Sequence, residues 1–525
     1  MIKIKRLFLE SPPASLHIIG AIYLLPSLLL YFVSEDLKFA LLLEGYSFLE
    51  SLKNIWFPSA EFLNEGGLFR PIVSTINLID YSLWGTNAFG YHLTNALVHL
   101  VNIQLVYHFS LRLFKRVDIS FLCSVIFLLH PILANSVYWI SGRTDMVACS
   151  FYLTSLMMAD KYLRGMDVKY FILSQASFLA ALLSKEISVT LPLAQVWLIL
   201  YHRCILERDI SLKPIIIRFT IFNAIMVTLF LIYRLIIFEN NPFVIDDIYN
   251  IGGIYHYFIN AIKAASFLTI PFGHHNFEAM VYEYKLYLLV ITIPIGIRVI
   301  MLAIQKRKEL GQEIVLFTLL LIAMLPLFKL AMRWYMYIPV AFFAMFIANI
   351  ICNLWGRGNV SKALISIYLG LNIIGDLNNY NVWLDNSRIN RALVSQVVEY
   401  IEHENKADTF VILNFPAKIN RTATFVAGFE ELIYLKLKEK DKKIIRPVNI
   451  NHQLDMFPTA INYERGKFTI NACESSSHCL LGSDRQRLRL SKLSPGDMIK
   501  TSVGDIFIEK TNQAGQAIRV LLVMD

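Results

Sequence analysis

The run Leu16-His17-Ile18-Ile19-Gly20-Ala21-Ile22-Tyr23-Leu24-Leu25-Pro26-Ser27-Leu28-Leu29-Leu30-Tyr31-Phe32-Val33, followed at once by Ser34-Glu35-Asp36, decides the fold. An apolar stretch of roughly 17–25 residues is long enough to cross a bilayer. Lys3, Lys5 and Arg6 precede it, as in a signal peptide, but no small-residue cleavage pattern follows. The run therefore reads as an uncleaved first span with a cytoplasmic N-terminus. The loop from Val33 to Arg70 then lies outside, opening on an acidic pair and closing on Phe69-Arg70-Pro71.

Composition extends this to the whole chain. Of its 525 residues, 56% are hydrophobic and 17% charged, where a soluble protein carries about a quarter charged residues. Mean hydropathy is +0.52. These values indicate a polytopic α-helical membrane protein. The formal net charge of +9 does not point to nucleic acid, because the basic residues sit largely between apolar runs, as the positive-inside rule requires.

Spans are expected near 15–33, 91–114, 119–137, 144–163, 169–184, 188–202, 214–238, 284–305, 313–331, 334–354 and 361–378. Lys115-Arg116, Arg164, Arg203, Lys306-Arg307-Lys308 and Arg357 then all fall inside. The alternation holds if residues 257–272, short and ending at Pro271, do not cross fully. An interfacial segment is accordingly expected over 257–283, within a membrane domain of residues 1–378 whose first outer loop is 34–90. Residues 379–525 change composition abruptly and read as a small extracytoplasmic α+β domain. Helices are expected at Ser387–Glu404 and Phe425–Lys438, with strands near 410–413, 443–449, 467–472, 487–491, 505–509 and 517–524. Cys123, Cys149, Cys204 and Cys352 lie in or beside spans as packing residues. Cys473 and Cys479 are close enough in sequence for a disulfide in an oxidising compartment.

Several residues can carry chemistry. Glu35 and Asp36 either mark the interface or supply a general base, since a carboxylate is the simplest group able to deprotonate a hydroxyl. His92, Asn95, His99 and Asn102 share one helical stripe, which favours interhelical hydrogen bonding over a ligand role. The loop from His130-Pro131 to Trp139-Ile140-Ser141-Gly142-Arg143-Thr144-Asp145 combines interfacial aromatics with an ionisable pair at a span end. There an Arg143–Asp145 pairing is the structural alternative. Lys185-Glu186 and Arg333-Trp334-Tyr335 interrupt other apolar runs on the outer side. Outer cations run against the positive-inside bias, so Arg70, Arg143, Lys185 and Arg333 converging on one anion is a sensible use. Asp246-Asp247 is a rival acidic pair beside ordinary turn residues. His274-His275 have no accompanying metal-ligand spacing.

Arg70-Pro71, Phe89-Gly90-Tyr91-His92-Leu93-Thr94-Asn95 with His99, His130-Pro131, Trp139 to Asp145, Leu183-Ser184-Lys185-Glu186 with Thr190-Leu191-Pro192, and Arg333-Trp334-Tyr335-Met336-Tyr337-Ile338-Pro339 occur in that order. This ordered set resembles the membrane domain of the transmembrane and tetratricopeptide-repeat O-mannosyltransferases and their bacterial relatives, which are GT-C glycosyltransferases. The resemblance implies a multi-span GT-C-like fold, into which the eleven spans counted above fit, and inverting transfer of a sugar from a polyprenyl-phosphate carrier on the non-cytoplasmic face. It implies a base at Asp36 or Glu35, and donor-phosphate ligands among Arg143, Arg333, Arg70 and Lys185. His130, Asp145, Tyr335 and His92 are further pocket candidates, and no metal ligands are assigned. The donor is the lipid-linked sugar, embedded among membrane lipids. The acceptor is a protein, a lipid or a glycan, and no nucleic acid is involved. Two departures stand out. The acidic pair runs Glu-Asp, where the family usually has Asp-Asp or Asp-Glu. The α+β tail replaces the tetratricopeptide repeats, which suggests a bacterial inner-membrane relative with a periplasmic C-terminal domain and its own acceptor. A lipid-linked glycan ligase or polymerase and a lipid or sugar transporter are the rival readings. Charges gathered at span ends, not at the midplane, favour surface chemistry over transport.

Overall fold

Helix α1 (Pro12–Leu24) begins on a proline pair and tightens into the 3-10 turn Leu25–Leu29, because Pro26 has no N–H for the α-helical ladder. The computed structural model describes residues 12–38, 45–58, 69–206, 211–237, 254–269, 310–354 and 359–403, then 428–437, Pro495 and the strand segments given below. The chain divides into two compact units. One comprises residues 1–30 with 45–381, the other residues 31–44 with 382–525.

In the first unit, the expected outer loop 34–90 holds two helices, α2 (Phe48–Trp56) and α3 (Pro71–Trp84). Ser47 caps α2, its hydroxyl accepting from the Glu50 amide while Glu50 accepts from the Ser47 amide; this reciprocal box satisfies two orphan donors. Pro71 stands at the first position of α3, where its missing N–H costs nothing. There follow α4 (Ala88–Phe114), α5 (Val117–Leu129), α6 (Arg143–Gly165), α7 (Val168–Leu182), α8 (Leu191–Cys204), α9 (Leu212–Ile237), α10 (Ile254–Thr269), α11 (Leu310–Lys329), α12 (Tyr337–Leu354) and α13 (Asn359–His403).

Among the described residues, five helical stretches are long and apolar enough to span a membrane, or six if the bent pair Val117–Leu129 and Pro131–Val137 is one span. The chain is an integral membrane protein. Expected spans at 169–184 and 188–202 are the shorter helices α7 and α8, separated by the 3-10 turn Glu186–Thr190. The expected span at 284–305 lies outside the described residues, as do Asp246-Asp247, His274-His275, Cys473 and Cys479. Only α10 is described within the interfacial segment and its approach. Burial separates the roles of the spans. The stretch Arg333–Cys352 is 78% buried and Leu212–Ile237 only 22%, so α12 is a central helix and α9 a peripheral one whose Ile221, Leu229 and Ile236 are exposed. Lipid tails are as apolar as these side chains, so their exposure costs little.

The second unit begins at Tyr31, includes the turn Ser34–Lys38 and continues from Val382, which lies inside α13. A break was expected between a span ending at 378 and a helix starting at Ser387. Instead α13 continues without interruption, since neither Gly nor Pro occurs between Asp376 and His403. Strands β1 (Thr409–Val411) and β4 (Lys443–Ile445) pair in parallel, with α14 (Phe429–Leu437) between them in sequence. Strands β2 (Lys418–Ile419) and β3 (Thr422–Ala423) form a small antiparallel pair. Strands β5 (Ala460–Glu464), β6 (Lys467–Asn471), β7 (Met498–Thr501), β8 (Gly504–Thr511) and β9 (Ala517–Met524) make an antiparallel sheet in the order β5-β6-β9-β8-β7.

Candidate active site

The local backbone aims Arg143 inward. Gly142 closes a 3-10 turn so tightly that a Cβ there would meet the Ser136 Cα at 2.7 Å. Arg143 follows as the first residue of α6 and is fully buried. Its Nε donates to Asn95 Oδ1 (2.9 Å), its Nη1 to Asn77 Oδ1 (3.0 Å) and Asp80 Oδ2 (2.5 Å), and its Nη2 to the Tyr91 carbonyl (2.9 Å). Asp80 also accepts from the Thr94 hydroxyl at 2.6 Å. The expected alternative, Arg143 with Asp145, does not form. Arg143 pairs with Asp80 on α3, and Asp145 pairs with Lys185. Fully buried, Arg143 gives four N–H bonds to protein and so joins α3, α4 and α6.

Lys185, Arg70 and Glu186 are arranged differently. α7 ends where the Lys185 amide donates to the Ala181 carbonyl, and Glu186 opens the next 3-10 turn. The Ile72 amide donates to Leu183 O, joining the start of α3 to this hairpin. Arg70 then donates through Nε and Nη2 to Glu186 Oε2 at 3.2 and 3.0 Å, while Arg234 of α9 donates to Glu186 Oε1 at 2.9 Å. Lys185 is 3% exposed, ion-paired to Asp145, and stands 4.4 Å from the Tyr335 ring centroid, a cation–π contact strengthened by desolvation. Arg70 lies within electrostatic reach of both Asp145 and Tyr335. Arg333, half-buried, heads the 3-10 turn Arg333–Met336 that carries Tyr335. Trp139 and Trp334 meet edge to face at 5.3 Å, and the Ser136 hydroxyl donates to Trp334 O. Arg70, Asp145, the adjacent Lys185 and Glu186, and Tyr335, from four separate stretches of sequence, thus form one cluster.

Lys185 and Glu186 lie between helices, outside the spans. Burial pulls the Lys185 ammonium down to about 8, against the Asp145 carboxylate that favours its charge. Burial also works to raise Glu186, but Arg70 and Arg234 hold its carboxyl down at about 2.

The polar stripe of α4 is structural at the three positions whose bonds define it. Asn95 donates to Val137 O and Trp139 O, Asn102 to Met146 O and the Tyr337 hydroxyl, and His99 Nδ1 lies 2.5 Å from that hydroxyl. His92 is fully buried on the same stripe. His130 stands at the bend between α5 and the 3-10 turn Pro131–Leu133. Its Nε2 meets the Leu268 carbonyl at 3.1 Å and its Nδ1 accepts from the Ile132 amide, where Pro131 bends the chain. Sequence reasoning passed over Asp80, Arg234 and Asp376. Asp80 announced itself as a lone acid in an apolar stretch. Asp376 accepts from the Tyr23 and Tyr138 hydroxyls, each at 2.6 Å.

The acidic pair is in the second unit. Glu35 is exposed and Asp36 is 1% exposed. Asp36 Oδ2 accepts from the Val33 amide at 2.9 Å. Among the described residues, no group of three His, Cys, Asp or Glu is placed to hold a metal ion.

No family model matches the chain. Over 155 residues, 29% of its length, it is 28% identical to the protein O-mannosyl-transferase F38B6.6 of Caenorhabditis elegans. Over 191 residues, 35% of its length, it is 29% identical to human TMTC2. Over 136 residues, 23% of its length, it is 30% identical to human TMTC1. The chain resembles the protein O-mannosyltransferases. The matched stretches span only 22%, 22% and 15% of these relatives' own lengths. A crystal structure of ArnT from Cupriavidus metallidurans bound to undecaprenyl phosphate aligns over 82% of this chain and 89% of that one, with TM-score 0.43 and 10% identity. The O-mannosyltransferase relatives carry the resemblance drawn from the ordered motifs.

Proposed function

We propose that the protein is an inverting glycosyltransferase that moves a sugar from a polyprenyl-phosphate carrier to an acceptor hydroxyl at the non-cytoplasmic face. In this reading eleven spans cross a bacterial inner membrane, the N-terminus is cytoplasmic and residues 379–525 are periplasmic. The acceptor hydroxyl attacks the sugar's anomeric carbon, the bond from that carbon to the phosphate oxygen breaks, and polyprenyl phosphate leaves with the electron pair. Asp36 takes the acceptor proton. One displacement of this kind inverts the anomeric centre, by analogy with inverting glycosidases.

The observation that carries the reading is the cluster of Arg70, Lys185, Asp145, Glu186 and Tyr335 gathered from separate hairpins. Lys185 and Arg70 are the donor-phosphate ligands we assign, with Arg333 joining them from the turn of Tyr335. Arg143 orients the surrounding helices through Asp80. Glu186, 35% exposed, is the carboxylate an incoming phosphate competes with for Arg70. A carrier of this kind suits a compartment without nucleotide sugars. The likeness to O-mannosyltransferases favours a hexose donor and a protein acceptor.

The test uses purified protein in nanodiscs with a panel of radiolabelled polyprenyl-phosphate hexoses and pentoses. Release of free polyprenyl phosphate with transfer of one sugar is expected from the wild type, and neither from Asp36→Asn. Movement of an intact lipid-linked sugar across vesicles, with no phosphate carrier released, would establish the transporter reading instead. Transfer of a preassembled glycan would establish a ligase.

A further inference from the structure

We infer that Ser387 and Asn390 of α13 are positioning residues that hold the Asp36 turn within the second unit. The inference rests on the reading of Asp36 as the base. The turn holds a backbone conformation that calls for support from its surroundings. Ser34 has φ 56°, a left-handed conformation uncommon for a residue with a Cβ, which persists only where the surroundings over-determine it. Within the turn, the Asp36 amide donates to Val33 O, the Val33 amide to Asp36 Oδ2 and the Lys38 amide to Glu35 O.

Tyr31 and Phe32, just ahead of it, are tied by side chains 356 and 358 positions further along the chain. The Tyr31 amide donates to Ser387 Oγ at 3.0 Å, and Asn390 Nδ2 donates to the Phe32 carbonyl at 3.3 Å. Both contacts are buried, with Ser387 3% and Asn390 0% exposed. Arg391, one residue on, sets its guanidinium 5.1 Å from the Tyr31 ring centroid. On the exit side, Gly428 at φ +87° precedes α14, and a Cβ there would stand 3.1 Å from the Lys38 amide nitrogen. Phe32, Val33 and Leu37 are each at most 1% exposed. A buried backbone amide and carbonyl must find partners, and here α13 supplies both immediately before the carboxylate. The same turn clusters with residues 382–525 and not with the helices that flank it in sequence.

Loosening the tether leaves the carboxylate present but misaimed. A displacement of about 1 Å at a reacting group costs up to about 100-fold in rate. The experiment uses full-length Ser387→Ala and Asn390→Leu proteins in nanodiscs, with hydrogen exchange read over residues 31–38 and turnover measured against donor concentration. Exchange at the turn is expected to rise about tenfold or more, and kcat to fall about 10- to 100-fold, while the donor KM stays within about twofold. Ser387→Thr, which keeps the hydroxyl, should restore both signals. Ser387→Ala removes a single oxygen and serves if Asn390→Leu fails to fold. Unchanged exchange, or raised exchange with undiminished kcat, overturns the inference. Asp36→Asn separates it from the reading beneath it. Full turnover in that variant, whose tether is intact, refutes the base assignment itself and with it the catalytic role of the tether.

Discussion

The two ends of α6 solve the problem of buried charge in opposite ways. At the C-terminal end Asp160 is fully buried and receives everything. Arg112 donates to Oδ2 at 2.6 Å, Arg164 to both oxygens at 2.8 and 3.0 Å, and His202 Nε2 lies 2.9 Å from Oδ1. At the N-terminal end, roughly 22 Å away by helical rise, charge is spread over several partners. Arg143 takes Asp80, Lys185 takes Asp145, and Glu186 bridges Arg70 and Arg234. A carboxylate saturated by three donors offers nothing to a ligand and anchors helices. A partly exposed carboxylate shared by two arginines, beside a lysine resting on an aromatic ring, can yield a cation to an incoming anion. One helix therefore has a saturated carboxylate at one end and, at the other, charges shared among several partners, where we propose that the donor phosphate binds.

The sharpest way to break this contrast is within the N-terminal end itself, where in our proposal Arg143 is structural and Lys185 is a donor ligand. Asp80→Leu strands a buried guanidinium, and breaking a buried pair costs ~3–5 kcal/mol. A steep fall in the detergent-solubilised melting temperature is expected, and a melting point within a degree of wild type would return Arg143 to the phosphate ligands. Next, Lys185→Ala should lower turnover about 100- to 1,000-fold, the usual effect of losing a preorganised charge partner. Arg112→Ala, at the other end, should lower thermal stability and leave the turnover of folded protein alone. Equal loss of turnover in both variants would erase the distinction. The smallest effect is the dependence on pH. The Lys185 ammonium, brought down to about 8 by burial, is charged below that value and loses its proton as pH rises through it. Donor KM should therefore rise several-fold between about pH 7 and 9. The rise should vanish in Lys185→Arg, because a guanidinium does not deprotonate there. A profile unaltered by that substitution would remove Lys185 from donor binding.

Some of this was legible. β9 at 517–524 and α6 at 143–165 fall close to where alternation and helical period put them. The bonding of Asn95, His99 and Asn102 to neighbouring segments was readable because their spacing is local. The Ser47–Glu50 capping box and Pro71 were equally local signals for α2 and α3, and the long-loop reading passed over them. The exchange of partners at Arg143 was not readable. Asp145 is two residues away and Asp80 sixty-three, yet consecutive helical side chains diverge, whereas a separate helix can bring a carboxylate straight to a guanidinium.

The amino-acid order by itself determined that this chain lives in a membrane, roughly where its helices run, and which rare cations stand at their ends. Those properties follow from transfer free energies and from periods of a few residues, so a short window contains them. Which cation meets which carboxylate, and the joining of the Asp36 turn to Ser387 and Asn390 more than three hundred residues later, were decided only by tertiary packing. A buried polar group takes whatever partner the fold delivers, and sequence separation does not enter that choice.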